Sequence, residues 1–176
     1  MKKHKKQNKK RGFSLIELLI VVAIILIIAA IAIPNLLRAR IAANEASAVG
    51  SLRTLNTAEI TYNTTYPNVG FACSLTAMGP PASGSQASSA TAGLVDSNLA
   101  GGTKSGYSFT LPISGSCTPS GGINTTYDVK ASPQSPGNTG QRYFCSDISG
   151  VIQFNSAATG AFTDSGSGVC STGTPI

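Results

Sequence analysis

The residues of this chain whose types and order suggest chemistry lie near its start: Lys9-Lys10-Arg11-Gly12-Phe13-Ser14-Leu15-Ile16-Glu17-Leu18-Leu19. A cluster of cations ends at a glycine. A run built almost wholly from Leu, Ile, Val and Ala then continues to Ile33, and Glu17 is its one ionisable side chain. A carboxylate near the end of a membrane helix costs up to about 3 kcal/mol on insertion scales, so it calls for a partner or a function. Cleavage after Gly12 would supply a partner. Phe13 would become a new amino terminus carrying a cation, and Glu17 would be the fifth residue, one helical turn away. The plainer reading is an ordinary signal anchor with Glu17 at headgroup depth.

Nothing else in the sequence has the form of a catalytic site. The single histidine, His4, precedes Gly12, no carboxylates cluster at catalytic spacing, and no Gly-rich phosphate loop leads into a helix. The chain reads as the substrate of an enzyme and not as an enzyme. Cys73, Cys117, Cys145 and Cys170 form no C-x-x-C pair, so zinc is not expected, and an even count beyond a spanning segment favours two disulfides. Of the three possible connectivities, neighbour pairing (Cys73–Cys117 and Cys145–Cys170) is expected, because each pair closes a coil-rich segment beside strand patterns. Asn63-Thr64-Thr65 and Asn124-Thr125-Thr126 fit the N-glycosylation pattern, which recurs by chance in a chain this rich in Ser, Thr and Asn. No cofactor and no metal are assigned.

The elements that must place Glu17 follow from length and charge. Phe13 to Ile33 is 21 residues, about 32 Å as a helix and enough to cross a bilayer's hydrocarbon core. Seven of the 13 cations precede Gly12, which favours a cytoplasmic amino terminus with the remainder translocated. Beyond Gly12, Arg38, Arg40, Arg53, Lys104, Lys130 and Arg142 face seven acids, a formal balance of −1 before the termini. The overall charge of +6 is therefore no argument for nucleic acid, and no specific nucleic-acid partner is expected. A conventional signal peptide cut near Ala29, Ala30 or Ala32 is the rival reading, and it leaves Glu17 unexplained.

Arg11-Gly12-Phe13-Ser14-Leu15-Ile16-Glu17-Leu18 resembles the processing signature of type IV prepilins and of the related pseudopilins of type II secretion. The resemblance implies that a prepilin peptidase and N-methyltransferase cuts after Gly12, that Phe13 becomes the methylated terminus, and that Glu17 is the assembly carboxylate. It also implies the partners: an inner-membrane assembly platform and further copies of the chain in a helical filament. Location would be the inner membrane before assembly and an extracellular pilus after it, or the periplasm for a pseudopilin. A monomeric membrane-anchored binding module is a third reading, and it gives Phe13 and Glu17 no purpose. Pro34 matches the position of the proline that kinks or melts the pilin helix, the alternative being that it ends the helix. Cys145 and Cys170 resemble the carboxy-terminal disulfide loop of pilins. Related pseudopilins hold calcium in that region, so Asp147 and Asp164 could contribute oxygens; the plainer reading is two solvated turn aspartates.

The expected fold is α+β, a pilin fold. After a leader at 1–12, a helix spans 13–34 and continues as an amphipathic half over 35–66, running to about Asn63. A head follows at 67–176. Leu52, Leu55, Glu59, Tyr62 and Tyr66, continued backwards by Ala48, Ile41 and Leu37, give one helix face to pack on a sheet. Arg40, Ser47, Arg53, Thr54 and Thr61 mark the opposite face. Residues 67–106 read as a variable surface loop, with a helical turn at Leu94–Leu99. Residues 107–176 carry about four antiparallel strands: Tyr107–Leu111, Tyr127–Ala131 stopping before Pro133, and Arg142–Cys145 and Val151–Phe154 around a turn at Asp147–Gly150.

Overall fold

The computed structural model of the chain describes residues 12–111, 122–156, 160–162, 170 and 173–176. One helix, α1 (Leu15–Thr65), dominates, and the chain divides after Arg38 into two compact units. In the first, the helix keeps Leu, Ile and Val side chains exposed along its length. Pro34 lies inside α1 and does not end it. Proline has no N–H for the carbonyl four residues back. The Asn35 amide Nδ2 donates to the next carbonyl, that of Ile31, at 3.1 Å.

The second unit, Ala39–Ile176, is an α+β head built on the rest of α1. Two single-turn helices follow, α2 (Leu75–Met78) and α3 (Ser97–Ala100), capped by the side chains of Ser74 and Asp96. The antiparallel sheet holds β1 (Thr103–Lys104), β2 (Tyr107–Thr110), β3 (Asp128–Pro133), β4 (Arg142–Asp147), β5 (Ile152–Ser156) and β6 (Thr174–Pro175), in that order. There are six strands instead of about four, because two-residue strands were added at each edge. A segment that short has no alternation to read. β3 also runs on through Pro133, which pairs with Tyr107. Proline can sit at a strand end, where its missing N–H is least costly. The β4–β5 turn lies at Asp147–Gly150 as expected: Gly150 donates to the Asp147 carbonyl at 2.8 Å and adopts φ 73°.

The core joins α1 to the sheet. Ala48, Leu52, Leu55, Ala58 and Tyr62 pack with Tyr107, Phe109, Tyr127, Val129, Ala131, Phe144 and Ile152. Two expectations need correction. Leu37 is 43% exposed, and the buried stripe starts at Ile41, because Leu37 lies in the unit before the head. The 67–106 segment is not mere decoration, since it sends Phe71, Leu75, Met78, Val95, Leu99 and Ala100 into the core. Its Gly and Ser content conceals that contribution.

Candidate functional site

Three exposed groups define the amino-terminal site. Gly12 precedes α1, and a side chain built there would meet nothing within 4 Å. Among the described residues, no packing requires a glycine at this position. Phe13 follows with its ring 81% exposed. Glu17 stands in the first turn of α1 and accepts a hydrogen bond from the Ser14 backbone N–H through Oε2 at 2.8 Å.

Ser14-Leu15-Ile16-Glu17 thus carries the glutamate half of a capping box, in which the third helical residue reaches back to the N–H of the residue before the helix. The spacing is legible in the sequence. The carboxylate lies against the unsatisfied donors and the positive end of the helix dipole, where negative charge is favoured. Its position is therefore set by the helix start before any second chain is considered. From Phe13 through Leu37 the apolar side chains are exposed, and among the described residues one helix, α1, is long and apolar enough to cross a membrane. Such a surface is stable only against lipid or other apolar helices, at about 25 cal/mol for each Å² covered.

Two further carboxylates on α1, Glu45 and Glu59, face the head. Glu45 is buried; its Oε1 accepts from the backbone N–H groups of Gln141 at 2.8 Å and Arg142 at 3.2 Å, and its Oε2 from Arg142 Nε at 2.7 Å. Glu45 was not singled out in the sequence, although it fits the stripe that joins Ile41 to Ala48. Glu59 is fully buried, with Oε2 accepting from the Ala72 N–H at 2.8 Å and Oε1 without a partner. Burial pushes its carboxyl up to about 8, against which the Ala72 hydrogen bond acts weakly. Burial also raises Tyr127 to about 12, helped by the charge of Glu59, and raises Tyr107, helped by Glu45. Both phenols therefore serve as neutral donors: Tyr107 Oη to the Arg142 carbonyl at 2.8 Å, and Tyr127 Oη to Asn56 Oδ1 at 3.4 Å.

The remaining expected positions are placed as follows. Cys145 and Cys170 are joined by a disulfide with Cα atoms 5.8 Å apart. Cys73 is also disulfide-bonded, and Cys117 lies outside the described residues. Asp147 is not a solvated turn aspartate: it is buried, its Oδ1 accepts from the N–H and hydroxyl of Ser149, and its Oδ2 accepts from the Cys170 N–H at 2.9 Å. Asp164 lies outside the described residues. Among the described residues, no group of three or more His, Cys, Asp or Glu could hold a metal ion. Asn124 spends its side-chain amide on the Phe71 carbonyl at 3.2 Å.

Comparison with known proteins points the same way. Residues 7–33 match the prokaryotic N-terminal methylation motif. The chain is 51% identical over 51 residues to the type IV major pilin protein PilA of Myxococcus xanthus, covering 29% of this chain and 23% of that protein. It is 69% identical over 35 residues to the type IV wide pilus major component PilA4 of Thermus thermophilus, covering 20% of this chain and 27% of that one. The chain thus spans about a quarter of the length of the curated relatives it matches. No solved structure matches. The chain is type IV pilin-like in its amino-terminal sequence, and a long first helix with an antiparallel sheet is a pilin-like fold.

Proposed function

We propose that this pilin-like chain is the structural subunit of a type IV pilus. It is made as a single-pass inner-membrane precursor with a cytoplasmic basic leader, cut after Gly12 by a prepilin peptidase and methylated on the Phe13 amine. The observation that carries the reading is the start of α1, where a packing-free glycine, an exposed Phe13 and a first-turn carboxylate precede a helix with apolar side chains exposed through Leu37. On assembly that surface leaves lipid for the flanks of neighbouring helices. Glu17 then needs a counter-charge at low dielectric, and the Phe13 ammonium of an adjacent subunit supplies it and sets the stagger. Pro34 is the point at which the helix bends or opens in the filament. The chain has no enzymatic role in this account. Adhesion, twitching motility and DNA uptake are the activities such a filament serves. The names of the two curated relatives are those of pilus components, which supports a pilus over a type II secretion pseudopilus.

Mass spectrometry of the amino-terminal peptide from sheared surface filaments tests the reading. Methylated Phe13 in that fraction is expected, and a terminus after Ala30 or Ala32, or an intact leader, would overturn it. Glu17→Ala is expected to be cleaved normally and to yield few filaments; a normal filament yield from that variant would remove Glu17 from the mechanism.

A further inference from the structure

Glu59 raises a question that neither packing nor assembly answers. Its side chain is fully buried on the head-facing side of α1, and one of its two oxygens has no partner. No ion pair among the described residues involves it. Glu45, on the same helix, shows what a stable buried carboxylate looks like here, with a guanidinium and two backbone N–H groups around it. Glu59 has only the Ala72 N–H. An ionised carboxylate with one donor and no cation is costly at low dielectric, whereas the protonated acid keeps that hydrogen bond and carries no charge.

The groups packed against Glu59 reinforce this. On α1 itself the neighbour is Tyr62, and from the approach to β3 it is Tyr127; burial raises both phenols, and the charge of Glu59 adds to it. Asp147, on β4, acts on Tyr127 with the same sign. The buried cation of β3, Lys130, has its Nζ 3.6 Å from Asp128 Oδ2. Glu59 also sits at a mechanical junction. Ala72 belongs to the segment that leaves α1 at Tyr66 and reaches the α2 cap at Ser74. That segment is tied sideways to the 122–127 strip by Phe71 N–H to the Asn124 carbonyl and Asn124 N–H to the Val69 carbonyl, each at 2.9 Å. Beside the core packing of Phe71 and Ala72 and the disulfide of Cys73, the segment is joined to α1 by the hydrogen bond from Ala72 to Glu59.

We propose that Glu59 is a proton-operated latch: with its proton on Oε1 it closes the 67–74 segment over α1 through Ala72, and when that proton passes to solvent the segment lifts and lets water reach the carboxylate. The closed form binds the proton up to about pH 8, while a solvated glutamate releases it near 4.5. Closure is therefore strongest, and independent of pH, below pH 4.5. Opening becomes up to about tenfold more favourable for each pH unit between the two values, and changes no further above about 8. The latch concerns the head alone and does not depend on polymerisation.

Hydrogen exchange on the full-length protein in detergent micelles, read by peptide and corrected for intrinsic rates, tests it. From pH 6 to pH 8, protection of the 70–73 amides is expected to fall by up to about 50-fold, while that of β3 and β4 holds, and Glu59→Gln is expected to abolish the pH dependence. Constant protection at 70–73, a parallel loss throughout the sheet, or the same fall in Glu59→Gln would each overturn the latch. If Glu59→Gln does not fold, infrared spectra of the wild-type protein decide. A carboxyl still protonated at pH 6.5 and titrating near pH 8 supports the latch, and its absence overturns it.

Discussion

Removing the buried Glu45 carboxylate should loosen the head from α1 more than removing any exposed or half-buried charge. Glu45 is 5% exposed and accepts three hydrogen bonds, two from the backbone at Gln141 and Arg142 and one from the Arg142 guanidinium. Hydrogen bonds to a charged acceptor contribute about 1.5–3 kcal/mol each, and an N–H left without an acceptor costs about 1–3 kcal/mol. The Arg142 contribution is discounted, because that side chain is 42% exposed and water replaces part of it. The two backbone donors dominate. Glu45→Ala should therefore cost about 3 kcal/mol, and Glu45→Gln, which keeps one acceptor oxygen, about 1–2 kcal/mol. Arg142→Ala should fall near the Gln value: it loses the ion pair and the contacts of the guanidinium with Phe144 and Phe154, at 5.4 and 5.3 Å from the ring centroids, but leaves both backbone donors satisfied.

The assay is urea unfolding of the full-length protein in micelles, followed by tyrosine emission and by circular dichroism. Coincident transitions are required before the midpoints are converted to free energies. The expected order is wild type, then Glu45→Gln and Arg142→Ala together, then Glu45→Ala. A Glu45→Ala protein within about 0.5 kcal/mol of wild type, the range of ordinary surface changes, would refute the assignment of Glu45 as an anchor.

Three further outcomes follow from the packing. Replacing Cys145 and Cys170 by serine should lower stability by about 3 kcal/mol, since their disulfide closes a loop with a sequence separation of 25, and the loss should appear in the same urea titration. Gly140→Ala should be as damaging as a core substitution although Gly140 is not in the core, because an added Cβ would overlap the Tyr107 hydroxyl and displace it from the Arg142 carbonyl. A melting curve matching wild type would show that the Tyr107 side chain yields without cost. Leu55→Ala, at a fully buried position, should cost about 2–5 kcal/mol, with a cavity on the sheet side of α1. An unchanged denaturation midpoint would place Leu55 outside the core.

What the sequence made legible was whatever has a period or a motif. The apolar run, the stripe from Ile41 to Tyr62 and the alternation in β2 to β5 all repeat, and α1 and the four longer strands follow from them. β1 and β6 are two residues each and α2 is a single turn, too short for either period to show. The Asp96 cap of α3 lay within the expected helical turn, whereas the equivalent Ser74 cap sat in a stretch that read as loop. Asp147 reads as a surface turn because Ser149 and Gly150 follow it. It is buried because the Cys170 N–H, 23 residues away, comes to its second oxygen, a contact that no local pattern contains. Glu45 and Glu59 are acids that break an apolar stripe, and the donors that meet Glu45, at Gln141 and Arg142, lie some 96 positions away in the sequence, beyond any local pattern.

Those breaks answer a question the stripe itself leaves open. Buried positions on α1 recur at Ile41, Glu45, Ala48, Leu52, Leu55, Glu59 and Tyr62, alternating four and three. Apolar contact has no direction, so a stripe with this repeat would pack on the sheet almost as well if the helix slid by seven residues. The two acids remove that freedom. A seven-residue slide brings Glu45 or Glu59 into the site of Leu52, against apolar side chains with no N–H to meet it, at a cost of several kcal/mol. At the observed register, Glu45 finds Gln141 and Arg142, and Glu59 finds Ala72. These donors lie about 70 residues apart in the head's sequence, so both must be in place together. A single polar residue in a coiled-coil seam fixes register in the same way, at some expense in stability. Here the two marks differ in kind. Glu45 is held by two backbone N–H groups and a guanidinium, while Glu59 is held by one N–H and its own proton. The head is therefore anchored firmly at Glu45 and conditionally at Glu59. The conditional end is the one from which the chain leaves the helix.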